Sequence, residues 1–160
     1  MPPRRQAAGR PSMPTPLRSF DDLAVGQEFD FGQFRMELAE ILDFAHRYDP
    51  QPFHVDEAAA RASPFGGIIA SGLHTQATAF GHIIRTGWVK DVSLGGTEQT
   101  VRWPAPVRPG DEIALTARIE ALHPSRSKPD RGVAKVVYTG RRVADGVVVL
   151  EILGTHFLRR

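Results

Sequence analysis

Beyond residue 93 the chain carries little but strand signals, and one long helical segment stands immediately before them. Ile113, Leu115, Ala117, Ile119 and Ala121 alternate with Ala114, Thr116, Arg118 and Glu120, a period of two that sends each set to its own face of a strand. Residues 94–103, 133–143 and 147–158 read as three more strands. The last two meet at Asp145-Gly146, a dipeptide that favours a tight hairpin. The helix runs over about 71–86, where Leu73, Gln76, Ala77, Phe80 and Ile84 fall on one continuous stripe. Ala70, Ser71, Gly72, Ala77, Ala79 and Gly81 keep that helix slender, as close wrapping by a sheet requires. The expected fold is α+β, an antiparallel sheet around one long central helix.

Upstream, a first strand is expected near 27–35. Leu38, Ile41, Leu42 and Ala45 at helical spacing predict a short helix over 37–47. Pro50 and Pro52 end it and force an extended loop. Asp56 can cap a second short helix over 57–62, which the Pro64-Phe65-Gly66-Gly67 break terminates. Residues 1–16 hold five prolines and no hydrophobic periodicity, so they read as a disordered leader ahead of one domain over 17–160. Met13 is a possible alternative start.

Charge and composition narrow the function classes. Four arginines and no acid in residues 1–18 exceed the +2 of the whole chain, so the folded part is slightly acidic and ill suited to phosphate backbones. No nucleic-acid partner is expected. No apolar run approaches the roughly 20 residues of a membrane span, and the N-terminus lacks the apolar stretch of a secretion signal. The chain has no cysteine, which removes thiol nucleophiles and zinc–thiolate sites and suits a reducing compartment; a cytoplasmic protein is expected. His46, His74 and His82 show no metal-ligand spacing with an acid, so neither a metal nor another cofactor is expected.

The chemistry concentrates in Tyr48-Asp49-Pro50-Gln51-Pro52-Phe53-His54. An acid and an imidazole stand five positions apart in a segment stiffened by two prolines, and Gly72 follows at the start of the long helix. Taken singly, each residue has an ordinary explanation: Asp49 as a turn former, His54 as a packed histidine, Gly72 as a helix-entry glycine. Taken together they supply an acid, a base and free N–H groups at a helix N-terminus, the parts needed for proton transfer beside a carbonyl. Ser71 before that glycine suits a helix N-cap better than a hydrolase nucleophile, because no strand leads directly into it.

With these elements in place, the chain resembles the MaoC-like dehydratases, which include the R-specific enoyl-CoA hydratases and have the hot-dog fold. Asp49, Pro52 and His54 match the family loop, and Asp56-Glu57-Ala58-Ala59-Ala60 matches the Ala-rich helix after it. Phe65 to Leu73 resembles the entry into the family's central helix, and Val101 to Asp111 its later strand–turn–strand signature. Tyr48 and Gln51 depart from the pattern, standing where the family often has Gly and Asn.

The resemblance implies a lyase that reversibly hydrates a 2-enoyl-CoA, or a related thioester, to the 3-hydroxyacyl thioester. It gives Asp49 and His54 the water and the protons, without deciding which proton each carries, and gives the Gly72 N–H the thioester oxygen. Gln51, Phe53 and Ser71 are expected to bind substrate. It further implies a homodimer or dimer of dimers with the site near the subunit boundary. The alternatives are an acyl-CoA thioesterase on the same fold and a non-catalytic acyl-thioester-binding subunit. The first would need a carboxylate on the long helix, and residues 71–86 contain none.

Overall fold

The computed structural model describes residues 13–160 and sets one antiparallel sheet around one long helix. Strand β1 (Glu28–Arg35) leads into α1 (Leu38–Tyr48), the single turn α2 (Pro52–Val55), α3 (Glu57–Ala62) and the long α4 (Gly72–Arg85). Four strands follow: β2 (Ser93–Arg102), β3 (Glu112–Pro124), β4 (Arg131–Arg142) and β5 (Val148–Arg159). The order across the sheet is β1-β3-β4-β5-β2, with every neighbouring pair antiparallel.

The period of two in β3 is realised. Ile113, Leu115, Ala117 and Ile119 are buried, and the intervening residues are intermediate or exposed. Full burial of a branched side chain of this size stabilises by roughly 1.5–3 kcal/mol. Val136, Leu150 and Ile152 continue the same inner layer across β4 and β5. At one end of the core Trp88 packs against Phe29 and Phe31, with ring centroids 4.8 and 5.2 Å apart. The β4–β5 turn closes as expected, Gly146 taking a φ of +72° that a side chain would resist.

Two expectations are corrected. The long-helix stripe is not buried under the centre of the sheet: Leu73, Phe80 and Ile84 are 50%, 41% and 45% exposed, and Phe80 and Ile84 meet only the edge strand β2 and its neighbourhood. The buried face carries Thr75, Ala79 and Ile83 instead, together with His74, which stacks on Phe44 of α1. Periodicity reports that a helix has an apolar face, not which partner covers it, and the smaller side chains allow the sheet to approach closely. The second correction is at Pro50 and Pro52, where the chain is not extended throughout. Pro52 occupies the first position of α2, where its missing N–H costs nothing, and the turn carries His54 inward.

Residues 1–12 of the expected leader lie outside the described residues. Met13–Pro16 form no regular element, and burial begins at Leu17, whose N–H donates to the Trp88 carbonyl at 2.8 Å. Among the described residues no helix is long and apolar enough to cross a membrane.

Candidate active site

Asp49 stands where α1 ends, its N–H still bonded to the Ala45 carbonyl and its φ of −153° leaving the helical range. Pro50 makes that exit compulsory. The following turn brings His54 back beneath the loop, where it is 4% exposed. His54 Nδ1 lies 2.7 Å from the Ile69 carbonyl, which can only accept, so Nδ1 carries the hydrogen. The neutral ring therefore has its lone pair on Nε2. That atom faces Asp49 Oδ2 at 3.3 Å.

Asp49 receives donors on both oxygens. Gln51 Nε2 donates to Oδ1 at 2.8 Å, and Ser71 Oγ donates to Oδ2 at 2.7 Å. Partial burial works to raise the Asp49 pKa. The hydrogen bonds from Gln51 and Ser71 work against it, and the carboxyl is held below its ordinary value. An ionised carboxylate and a lone pair on Nε2 do not bond to each other directly. A water placed beside both donates one hydrogen to each, which turns its own lone pairs toward a third group.

Ser71 occupies the N-cap position of α4, but its hydroxyl is committed to Asp49 and caps nothing. Among the described residues no acceptor takes the Gly72 or Leu73 N–H. The helix start thus presents open donors beside the Asp49/His54 pair, carrying the positive end of the helix dipole. Such donors suit an oxygen that gains negative charge. Trp103 lies against this turn, its indole N–H donating to the Gly72 carbonyl at 2.8 Å. A Cβ on Gly72 would come within 2.6 Å of the ring, so the close approach requires glycine.

His54, Gly72, Thr75, Trp103 and Val149 line a cavity of about 350 Å³, which the chain from Pro104 to Val107 walls on one side. Asp49, His54, Ser71 and Gly72 are thus brought together. Gln51 and Phe53 sit behind them: Gln51 holds Asp49, and Phe53 packs edge-on against His54 with centroids 4.5 Å apart. Trp103 is 45% exposed at the cavity. Its contact with Gly72 spans 31 residues of sequence, and the Arg-Trp-Pro segment gives no local sign of it. The Ile69 carbonyl that fixes the His54 tautomer is a backbone group and leaves no trace in residue type.

The fold and this geometry together define the hydratase and dehydratase class of hot-dog proteins. Residues 21–141 match the model of the MaoC like domain, and the chain belongs to the MaoC-like dehydratase family. It is similar to the MaoC-like dehydratase of Rhodospirillum rubrum, whose crystal structure superposes with a TM-score of 0.81 at 39% identity, over 88% of this chain and 95% of that one. It is 35% identical over 109 residues to the uncharacterized protein YdeM of Bacillus subtilis, covering 68% of this chain and 77% of that protein. It is also 30% identical over 110 residues to a 3-hydroxybutyryl-CoA dehydratase of Methylorubrum extorquens, covering 68% of each.

Proposed function

We propose that the protein reversibly hydrates a 2-enoyl-CoA to the 3-hydroxyacyl-CoA. The observation that carries this reading is the Asp49/His54 pair, with Nε2 and Oδ2 3.3 Å apart and Nδ1 pinned by a carbonyl, beside a helix N-terminus left uncapped. The pair holds a water by both its hydrogens and aims its oxygen at Cβ of the enoyl group. As the C–O bond forms, one water proton passes to the pair, and charge moves onto the thioester oxygen at the Gly72 N–H. The pair then returns a proton to Cα, so that one water has been added across the double bond. A donor such as the Gly72 N–H is worth about 3–4 kcal/mol in the transition state. Coenzyme A as the carrier is supported by the similarity to the Methylorubrum extorquens dehydratase.

The active form in this reading is a two-fold homodimer or a multiple of it. The exposed Leu73, Phe80 and Ile84 of α4 and the unpaired edge of β2 give two copies an apolar face and a strand edge to share. Thioesterase action is disfavoured because α4 carries no carboxylate to aim water at the carbonyl carbon. The test is a set of trans-2-enoyl-CoAs followed by loss of the conjugated-thioester absorbance, with free thiol measured in parallel. Absorbance loss without thiol release is expected. Thiol release would favour the thioesterase, and tight binding with neither signal would make the protein a binding subunit.

A further inference from the structure

Edge strand β2 lies along α4 in the opposite direction. Trp103 covers Gly72 at the start of the helix, and Gln99 meets Gln76 one turn later. Residues 95–98 then share a cavity with Phe80 and Ile84 near the far end. Gly72, Gln76, Phe80 and Ile84 are successive members of one i, i+4 row, so a single ridge of the helix follows the strand.

Two cavities open along this seam. The first, about 350 Å³, holds His54, Gly72 and Thr75 beneath Trp103. The second, about 400 Å³, lies between Phe80, Ile83 and Ile84 on the helix and residues 95–99 on the strand, with Tyr138 and His156 on its wall. No residue lines both. Between them Gln76 Nε2 donates to Gln99 Oε1 at 2.8 Å, a polar bar from helix to strand.

We propose that this bar is an acyl-length gate, an inference that rests on the hydratase reading above. The first cavity takes the thioester and a short acyl chain; the second receives the tail of a longer one only when the two amides part. Gln76 lies four residues beyond Gly72, about 6 Å along the helix. A four-carbon acyl group, with three C–C bonds of about 1.5 Å each, ends before the bar. An eight-carbon chain does not. The distal cavity suits an apolar tail: Ile83, Val89 and Leu158 line it, and Tyr138 Oη and His156 Nε2 satisfy each other at 2.9 Å. Gln99 is exposed and Gln76 half-buried, so parting the amides exchanges one hydrogen bond for bonds to water and removes side-chain bulk from the path. A difference of several-fold is expected, not absolute exclusion.

The experiment compares the full chain with its Gln99→Ala variant, chosen because Gln99 is exposed on an edge strand and its loss leaves the core intact. Gln76→Ala serves as the second variant. Hydration of four- and eight-carbon trans-2-enoyl-CoAs is measured beside binding of butyryl-CoA and octanoyl-CoA. The binding readout is the fluorescence of Trp103, since Trp88 is 1% exposed. The wild type is expected to favour the four-carbon substrate, and either variant to raise the eight- to four-carbon ratio of kcat/KM about fivefold. Octanoyl-CoA binding should strengthen, relative to butyryl-CoA, by a similar factor. An unchanged ratio in both variants, or a wild-type preference for eight carbons, overturns the gate. If no enoyl-CoA is hydrated, the hydratase reading falls and the binding ratio still decides the gate; absence of all acyl-CoA binding overturns both.

Discussion

Asp49 is held from three sides: Gln51 and Ser71 donate to it, and His54 faces it. Removing its charge while keeping its shape, in Asp49→Asn, should lower hydration at least about a hundredfold, and His54→Ala should do the same, with the fold intact by circular dichroism. Near-wild-type rates in either folded variant would take that residue out of the mechanism. Ser71 acts through Asp49, so its effect has a different signature. Its hydrogen bond favours the ionised carboxylate, and Ser71→Ala should let the Asp49 pKa rise toward the ordinary 3.8. A depressed carboxylate stabilises the fold above its unfolded pKa, and that stability is lost as pH falls through the folded value. In Ser71→Ala the contribution shrinks, and its loss, which begins at the same unfolded pKa, is complete at higher pH. A carboxyl-carbon NMR titration of Asp49 in the two proteins checks the shift, and kcat should fall about tenfold.

Among the elements, those whose signal is local were legible in the sequence. The helix over 37–47 is α1 at Leu38–Tyr48, the Asp56 cap accepts from the Ala59 N–H, and the four late strands fall within three residues of their expected bounds. The turn α2 was not legible, because two prolines describe an extended loop and a helical first turn equally well. The prolines of residues 1–16 and their lack of an apolar pattern leave that segment little to bury in the sequence-based expectation. Deleting residues 1–12, so that Met13 begins the chain, is expected to leave melting temperature and hydration unchanged. A loss of either would show that the segment packs on the domain or on a second copy.

For the whole molecule, the apolar row of α4 left outside the sheet is the main structural consequence. Sedimentation at micromolar concentration should give a dimer or a multiple of it; a fully active monomer would refute the two-fold assembly. Acid should destabilise the molecule for a separate reason. Burial lowers the pKa of His74, whose Nδ1 has no hydrogen-bond partner among the described residues, and burial does the same to His156. The folded state binds their protons more weakly than the unfolded chain, so stability is full above about pH 6.5 and falls as pH drops through the unfolded value. Melting temperature should decline between pH 7 and pH 5. His74→Phe, which keeps the stack on Phe44, should flatten that decline.

The sequence by itself determined the strand run, the single long helix and the residues able to move protons, because periodicity, turn chemistry and side-chain type are local properties. Only the tertiary structure decided which face of α4 meets the sheet, that Ser71 turns from capping its helix to holding Asp49, and that Trp103 roofs Gly72. Each of these depends on a contact between segments distant along the chain: Ser71 is 22 residues from Asp49, and Trp103 is 31 from Gly72. The choice among partners at that range is made by packing the whole core, which no local pattern encodes.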